Sequence, residues 1–421
     1  MAAFRRYFRA VCVNLVLGLA LLLGVNGVAE LYLRRNPSLL MSADERINYE
    51  TQRARDALTT PENAMLWYDL KTPDDYQAFL ADRMEAGAPQ YAPYVQLRAP
   101  AFIGKFYGVT KAGYRMSRDP GPWPPRAENI NVFFFGNSTA FGVGPYWATI
   151  ASYLQDAMNE SGDLNRKVYV YNFGRSSYIS SQETVLFGRL LADGLRPDMA
   201  IFLDGSADFC FYDGNPSSWT LLERYYNEFH DNYVHEVWAH GAVTHWEKLT
   251  DFVGTLPIIR LIGGVESRLS TPTPHYIGNQ NPVAETPIDD PTLRRVIDRY
   301  VENMRQVKAI AEREGIIPVF VWQPNPTYKY HTAYDPFYPD RLSCHINDKF
   351  GYPMAKRLLP SNPTLGPSFV WAADMQENLK EPLYVDTFHY TAPMSRRIAL
   401  FIYAEIRRRQ LLSAIRAGAE Q

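Results

Sequence analysis

From residue 130 onward, short apolar runs alternate with longer amphipathic segments. The first run, residues 130–135, is almost continuously apolar, which is typical of a strand buried on both faces of a sheet. Four further runs predict strands, at residues 167–171, 199–203, 316–322 and 368–372. Because helical periodicity separates these runs, we predict an α/β domain whose parallel sheet of about five strands carries helices on both faces.

Four helices are predicted between or after these strands. Pro145 is expected to begin the first, and the others cover residues 180–191, 291–314 and 393–412. The segment 291–314 has the clearest end signals, with Asp289 before it and Gly315 after it. In the segment 180–191, the side chains expected to face the core are Val185, Leu186 and Leu190.

An uncharged apolar segment lies near the amino terminus, at residues 10–29. As a helix it would span about 30 Å, the thickness of a bilayer core. Arg5, Arg6 and Arg9 precede it, which favours an amino terminus inside the cell. We therefore predict a single-pass anchor in the inner membrane, with the remaining chain on the periplasmic side. The alternative is a signal peptide cleaved near residues 27–29, which would release a secreted protein.

The chain is predicted to have three parts. Residues 1–35 form the anchor, residues 36–125 a membrane-proximal region, and residues 126–421 the α/β domain. In the membrane-proximal region, residues 43–58 suggest a polar helix and residues 101–110 suggest short strands. Two insertions, at about 211–289 and 325–366, interrupt the α/β pattern. Loops of this length are typical of lids, binding surfaces or disordered segments.

Composition excludes some classes of partner. The chain has 43 basic and 45 acidic residues, so nucleic acid is not expected as the main partner. Aromatic residues make up 14% of the chain, which predicts either a large core with amphipathic rims or a sugar-binding cleft. No metal or cofactor is expected. Four histidines recur every five residues: His230, His235, His240 and His245. On a helix, successive members of this series would point about 140° apart, so their imidazoles would not converge on a metal ion.

The chain has three cysteines. Cys12 lies in the apolar segment, whereas Cys210 and Cys344 lie in the part predicted to be exported, where oxidation is permitted. Sequence leaves two alternatives open for this second pair, a disulfide or two separately buried thiols.

Three residues with complementary chemistry follow predicted strands. Ser138 comes after the first strand, and Asp386 and His389 come after the last. The carboxyl ends of parallel strands share one edge of the sheet, so these side chains are expected to meet there. A serine hydroxyl needs a base to become a nucleophile; His389 can supply it, and Asp386 can hold the imidazole through Nδ1. The alternative is that Ser138 or Asp386 merely caps a helix.

Four short motifs resemble those of the SGNH, or GDSL-like, hydrolase family: Gly136-Asn-Ser138, Asn172-Phe-Gly174, Asp204-Gly-Ser-Ala-Asp208 and Asp386-Thr-Phe-His389. The resemblance covers about residues 130–405 without the insertions, and Tyr114-Arg115 with the anchor is similar to membrane-anchored bacterial members. It implies a flavodoxin-like three-layer α/β/α fold and ester hydrolysis without a metal.

The same resemblance implies residue roles. Ser138 would be the nucleophile, His389 the base and Asp386 its orienting acid, while the backbone N–H groups of Ser138 and Gly174 would form the oxyanion hole. The family's third oxyanion donor is an asparagine, and Ala207 stands in its place. Loss of one donor costs about 2.7–4 kcal/mol of barrier lowering. Candidate substitutes are Asn137 and Asn215, and Asp208 is expected to be structural.

These patterns predict a serine esterase outside the cytoplasm that works through an acyl-enzyme. Its expected substrate is an acylated small molecule or glycan, such as the O-acetyl groups of an envelope or exported polysaccharide. Two alternatives remain open at this stage. One is an O-acyltransferase that uses the same triad, and the other is a binding or scaffold protein that kept the fold and lost efficient turnover.

Overall fold

The structure is a computed structural model that describes residues 2–35, 61–210 except 88, 253, 256–269, and 289–413 except 336 and 338–341. The predicted helix at 43–58, Asn215 and the four regularly spaced histidines lie outside these residues. The chain divides into two compact units. One contains Met1–Ala54 and Glu223–Gly278, and the other contains Arg55–Leu222 and Asn279–Gln421.

The described helices and strands have the following bounds. The helices are α1 (Ala2–Arg35), α2 (Pro61–Tyr68), α3 (Pro73–Glu85), α4 (Ser138–Phe141), α5 (Ile150–Glu160), α6 (Ser180–Ala192), α7 (Ser206–Cys210), α8 (Pro257–Leu269), α9 (Asp290–Glu314), α10 (Leu342–Leu358) and α11 (Ala392–Arg408). The strands are β1 (Gln90–Ala92), β2 (Gln96–Arg98), β3 (Phe102–Ile103), β4 (Gly108–Val109), β5 (Ile130–Gly136), β6 (Val168–Asn172), β7 (Met199–Asp204), β8 (Ile317–Trp322) and β9 (Phe369–Trp371).

The first unit contains α1 and α8, which pack together. Asn26 Oδ1 accepts a hydrogen bond from the Ile258 backbone N–H at 3.1 Å. Within α1, Val16–Arg35 has a mean hydropathy of 1.8, and it is long and apolar enough to cross a membrane. Many of its large apolar side chains are exposed, including Leu17 and Leu21 at 61% and 69%. The helix is therefore a candidate membrane span.

The second unit is built on a five-stranded parallel sheet with the order β6-β5-β7-β8-β9. The first of these strands along the chain, β5, lies between β6 and β7, so the order in chain terms is 2-1-3-4-5, as in flavodoxin-like folds. Every residue of β5 is buried, which explains its continuous apolar run. The prediction of a flavodoxin-like parallel sheet of about five strands is confirmed.

Helices cover both faces of this sheet. Helices α5 and α11 pack on one face through the cluster that includes Ile150, Ile398 and Ile402. On the other face, α6, α9 and α10 share a second cluster with the aromatic residues of β5. The three-layer α/β/α prediction is thus confirmed, although two details were wrong. Helix α5 begins at Ile150, after the N-cap Thr149, rather than at Pro145. Val185 on α6, which was expected to face the core, is 46% exposed.

The described part of the membrane-proximal region, residues 61–125, belongs to the same compact unit as the sheet. Predicted short strands at 101–110 are present as β3 and β4. Ala92, Val95, Leu97 and Tyr114 pack into the same core as the sheet, and the Arg115 N–H donates to the Asn172 carbonyl at the end of β6. A separate hydrophobic cluster contains Trp67, Phe79 and Phe106 together with Phe337 and Val385. Residues on both sides of the predicted boundary after residue 125 therefore share both clusters.

The second predicted insertion, residues 325–366, contains α10. Tyr352, Ala355 and Leu359 of this segment are fully buried in the same cluster as α9. The described part of this segment therefore contributes to the core rather than forming only a loop over the sheet, because Tyr328, Tyr330 and Tyr352 are buried.

Candidate active site

Ser138 is positioned by a tight turn between β5 and α4. Gly136 has φ 147°, and a Cβ there would lie 2.5 Å from Ala140 Cβ and 2.7 Å from the Leu203 carbonyl oxygen, so only glycine fits. Asn137 caps α4, because its Oδ1 accepts from the Thr139 N–H at 2.9 Å. The turn leaves the Ser138 side chain half-buried at the carboxyl end of the central strands.

Asp386 and His389 form the pair that the sequence predicts. His389 Nδ1 lies 2.8 Å from Asp386 Oδ2 and 3.0 Å from Oδ1. The Asp386 carboxylate also accepts from the backbone N–H groups of Phe388 at 2.8 Å and His389 at 2.7 Å. Three donors therefore hold the carboxylate, and the carboxylate fixes the proton of the neutral imidazole on Nδ1.

The other imidazole nitrogen is left free. His389 Nε2 is buried and has no hydrogen-bond partner in the described part of the chain. No hydrogen bond joins it to Ser138 Oγ among the described residues, so the proton-transfer contact is not made in this structure. Catalytic hydrogen bonds are often long without substrate and tighten when it binds.

A single glutamine connects the two parts of the site. Thr139, which follows Ser138, has its Oγ1 2.5 Å from Gln323 Oε1. Tyr390, which follows His389, has its hydroxyl oxygen 3.3 Å from the same Oε1. The structure therefore brings the serine turn and the histidine loop together, each within one hydrogen bond of one carboxamide.

The predicted oxyanion donors have different surroundings. The Ser138 N–H is at the start of α4, where backbone donors have no intrahelical acceptor. The Gly174 N–H instead donates to Asn172 Oδ1 at 2.9 Å, so it is engaged within its own loop. Asn172 Nδ2 donates to the Ala140 and Phe141 carbonyls, which ties this loop to α4. Gly174 could act as an oxyanion donor only if its present hydrogen bond were exchanged.

Ala207 is buried in α7 and supplies no side-chain donor, as its sequence position indicates. Of the two predicted substitutes, Asn215 lies outside the described residues. Asn137 uses Oδ1 for Thr139, and its Nδ2 makes no hydrogen bond within the described chain. Asn137 therefore stays a predicted donor. Asp208 accepts from the Ser180 hydroxyl at 2.6 Å, where it ties α7 to the start of α6.

Three buried carboxyl groups form a cluster at the carboxyl end of β7, and the sequence did not indicate that they lie together. They are Glu183 on α6, Asp204 at the end of β7 and Asp208 on α7, each 1% exposed. Burial raises the pKa of all three, and their mutual repulsion raises the pKa of Glu183 and Asp204 further. Glu183 donates to Asp204 when protonated, while Tyr300 adds a buried hydroxyl and Arg299 a positive charge near Asp208.

This cluster predicts a stability that falls with rising pH. A carboxyl whose pKa is raised in the folded state releases its proton on unfolding, so the folded state is favoured below the unfolded pKa and penalised as pH rises towards the folded pKa. Glu183→Gln keeps the donor to Asp204 without needing a proton. We expect it to raise the free energy of unfolding at pH 8 by about 1–3 kcal/mol, as measured by urea denaturation.

The control for this prediction is Glu160→Gln, an exposed acid at the end of α5, which should change nothing. The parent should lose stability between pH 5 and pH 8, and the Glu183→Gln curve should be flatter. A variant that is less stable than the parent at pH 8 would show that Glu183 is ionised in the folded protein.

Comparison with solved structures finds similarity to esterases and acylhydrolases. An acetyl xylan esterase is 11% identical with a TM-score of 0.33, covering 66% of this chain and all of that one. A putative acylhydrolase from Bacteroides fragilis is 14% identical with a TM-score of 0.35, covering 68% and 90%. A putative GDSL-like lipase from Parabacteroides merdae is 12% identical with a TM-score of 0.30, covering 68% and 98%.

No family model matches the chain, and no curated protein matches it. The identities and TM-scores of the solved structures are too low to support a statement about activity, so function must be argued from the site itself. Among the described residues, no group of three or more histidine, cysteine or acidic side chains could hold a metal ion.

Three features of the described structure had little or no signal in the sequence. Gln323 and the buried acid Glu183 look like ordinary polar residues in their segments. Ser177 is the buried non-glycine residue with a left-handed backbone in the described chain, at φ 61°, in the loop between β6 and α6. Such strain is retained at functional sites more often than elsewhere, but the sequence gives no means of detecting it.

Proposed function

We propose that this protein is an SGNH-type serine hydrolase that cleaves carboxylic esters through an acyl-enzyme. The observation that carries the proposal is the state of His389. Its Nδ1 is held by Asp386, and its Nε2 is buried without a hydrogen-bond partner in the described chain. The loop that carries His389 is joined to the serine turn through Gln323. Burying a polar nitrogen without a partner costs free energy, and proteins tolerate that cost where the atom has a reaction partner.

The geometry supports a two-step mechanism. Ser138 Oγ attacks the ester carbonyl carbon while its proton passes to His389 Nε2, and the imidazolium then protonates the leaving alcohol. Water attacks the acyl-serine in the second step, with His389 again taking a proton, and the carboxylic acid leaves as Ser138 regains its hydrogen. The Asp386 carboxylate stabilises the imidazolium in both steps. The oxyanion donors proposed are the Ser138 N–H and Asn137 Nδ2, with Gly174 after its hydrogen bond is exchanged.

The proposed location is the periplasmic side of the inner membrane. The apolar, exposed surface of α1 supports an anchor. Cys210 is disulfide-bonded, which supports an oxidising compartment. Cys344 is our candidate partner, because it lies on α10, which packs against the helix that ends at Cys210. An exported site of this kind would suit O-acyl groups on an envelope or exported glycan, and acyl transfer to a sugar hydroxyl would use the same residues.

Two observations favour a second candidate, a binding or scaffold protein. Ala207 removes a donor, and the hydroxyl of Ser138 is not hydrogen-bonded to Nε2 within the described residues. Both features would reduce turnover. A reaction that depends on nucleophilicity at Ser138 separates the two candidates, because a scaffold has no need of an activated serine.

The test is labelling with a membrane-impermeant fluorophosphonate, which forms a bond to an activated serine with loss of fluoride. Spheroplasts that express the full chain should be labelled on the Ser138 peptide, and the Ser138→Ala chain should not. Labelling only after lysis would contradict the periplasmic placement. No labelling of folded protein, before or after lysis, would contradict the nucleophile and favour the scaffold.

A further inference from the structure

We infer that Gln323 is a positioning residue that sets the distance between the nucleophile and the base; this inference rests on the proposed function. Gln323 directly follows β8 and is fully buried. Its backbone N–H donates to the Asp204 carbonyl at 2.9 Å, which extends the ladder between β7 and β8. The main chain of this residue is therefore held by the rigid centre of the sheet, and its carboxamide projects from a fixed base.

The carboxamide lies between the serine turn and the histidine loop. Thr139 Oγ1 and the Tyr390 hydroxyl oxygen both approach the same end of it, at 2.5 Å and 3.3 Å. These residues are the immediate chain neighbours of Ser138 and His389. The two hydroxyl groups can therefore be no farther apart than two hydrogen-bond lengths. Because each belongs to the chain neighbour of a proposed catalytic residue, this also limits the distance between Ser138 and His389.

Counting protons shows which end of the carboxamide faces these hydroxyls. Thr139 Oγ1 lies 2.6 Å from Asn137 Oδ1, an oxygen that already accepts from the Thr139 N–H. The Tyr390 hydroxyl lies 2.6 Å from the Pro324 carbonyl oxygen. Each hydroxyl has one proton and a good acceptor for it, so each has only a lone pair left for Gln323.

The Gln323 NH2 group can satisfy both lone pairs, because it carries two hydrogens. As placed, Gln323 Nε2 is buried and has no hydrogen-bond partner in the described chain. Rotating the carboxamide by 180° would exchange its nitrogen and oxygen, so that Nε2 would face both hydroxyls and donate to them. In this orientation Gln323 donates twice, to Thr139 and to Tyr390. A glutamine at this position joins the serine turn to the histidine loop, whereas an apolar residue of the same size would fill the space without joining them.

The test compares Gln323→Leu with a matched variant, Gln376→Leu. Gln376 is also fully buried, and its side chain makes three hydrogen bonds where that of Gln323 makes two: it donates to the Asn325 and Tyr328 carbonyls and accepts from the Tyr384 hydroxyl. Among the described residues, its side chain makes no hydrogen bond to Thr139 or Tyr390. For p-nitrophenyl acetate, Gln323→Leu should lower kcat by about 10–10²-fold with KM within threefold of the parent, because misplacing reacting groups by about 1 Å has effects of this size. Gln376→Leu should lower thermal stability comparably with a much smaller change in kcat.

A third variant provides a readout that packing alone would not change. Gln323→Glu can donate one hydrogen bond, and only when its carboxyl group is protonated, so its kcat relative to the parent at the same pH should recover in part as the pH is lowered from 8 to 5. If Gln323→Leu fails to fold, Thr139→Val replaces it, with Thr139→Ser as the variant that should retain activity.

The possible outcomes separate this inference from the proposed function. A parent chain without Ser138-dependent turnover would contradict both the proposed function and the role of Gln323. An active parent with an unchanged kcat in folded Gln323→Leu, or with losses equal to those of Gln376→Leu, would overturn the positioning role alone. A selective loss of kcat together with the pH-dependent recovery of Gln323→Glu supports it.

Discussion

Replacing Ser138 by alanine is expected to lower kcat for p-nitrophenyl acetate by at least about 10³-fold while leaving the protein folded. The expectation follows from the position of Ser138 after β5, in the turn that Gln323 joins to the histidine loop. Without the hydroxyl, turnover would rely on the oxyanion donors and on binding alone, which leave only a small residual rate.

The matched control is Ser161→Ala, at the end of α5, whose hydroxyl donates to the Met158 carbonyl and accepts from the Asp163 N–H. Thermal stability, measured by circular dichroism, should be similar for the parent and Ser138→Ala because the side chain is half-buried and small. Equal initial rates for the parent and Ser138→Ala, in protein freed of host esterases, would remove the nucleophile assignment.

Changing Asp386 to asparagine should lower kcat by about 10⁴-fold with little change in KM. Asparagine can still accept from the Phe388 and His389 N–H groups through its oxygen, so the turn is kept. Its NH2 group would then face His389 Nδ1, which must become the acceptor. The proton of the imidazole would move to Nε2, and a protonated Nε2 cannot take the proton of Ser138.

Asp82→Asn is the control for this effect. The Asp82 carboxylate also accepts two backbone N–H groups, from Phe106 at 2.6 Å and Tyr107 at 3.2 Å, but no histidine. It therefore reports the cost of weakening such contacts without a change of tautomer. Asp386→Asn with at least a third of the parent kcat would show that the carboxylate does not orient the base.

The fold was predictable because its main signals are local and redundant. β5 and β7 are buried along their whole length, so their apolar runs stand out from any neighbouring segment. The long helix α9 begins after Asp289 and ends at Gly315, whose left-handed φ of 69° marks the end that the glycine predicts. Once the strands and helices are identified, the rules for connections between parallel strands allow only a few topologies for the sheet.

The errors arose where tertiary packing decides what composition cannot. Val185 fits the apolar spacing of α6, yet it is exposed, because the face of a short helix depends on which neighbours cover it. The tyrosines of the second insertion suggested a loop, but Tyr352 is in the core. Short segments such as β1 and β2 also pack into the sheet core without a long-range signal in the sequence.

The sequence by itself determined the sheet, its helices and the Asp386–His389 pair, because each depends on residues close together in the chain or on runs with a strong apolar pattern. Only the tertiary structure decided that Gln323 joins the serine turn to the histidine loop and that Glu183, Asp204 and Asp208 share one buried space. These groups are far apart in sequence and ordinary in composition. Their chemistry comes from burial and from neighbours that only the folded chain supplies.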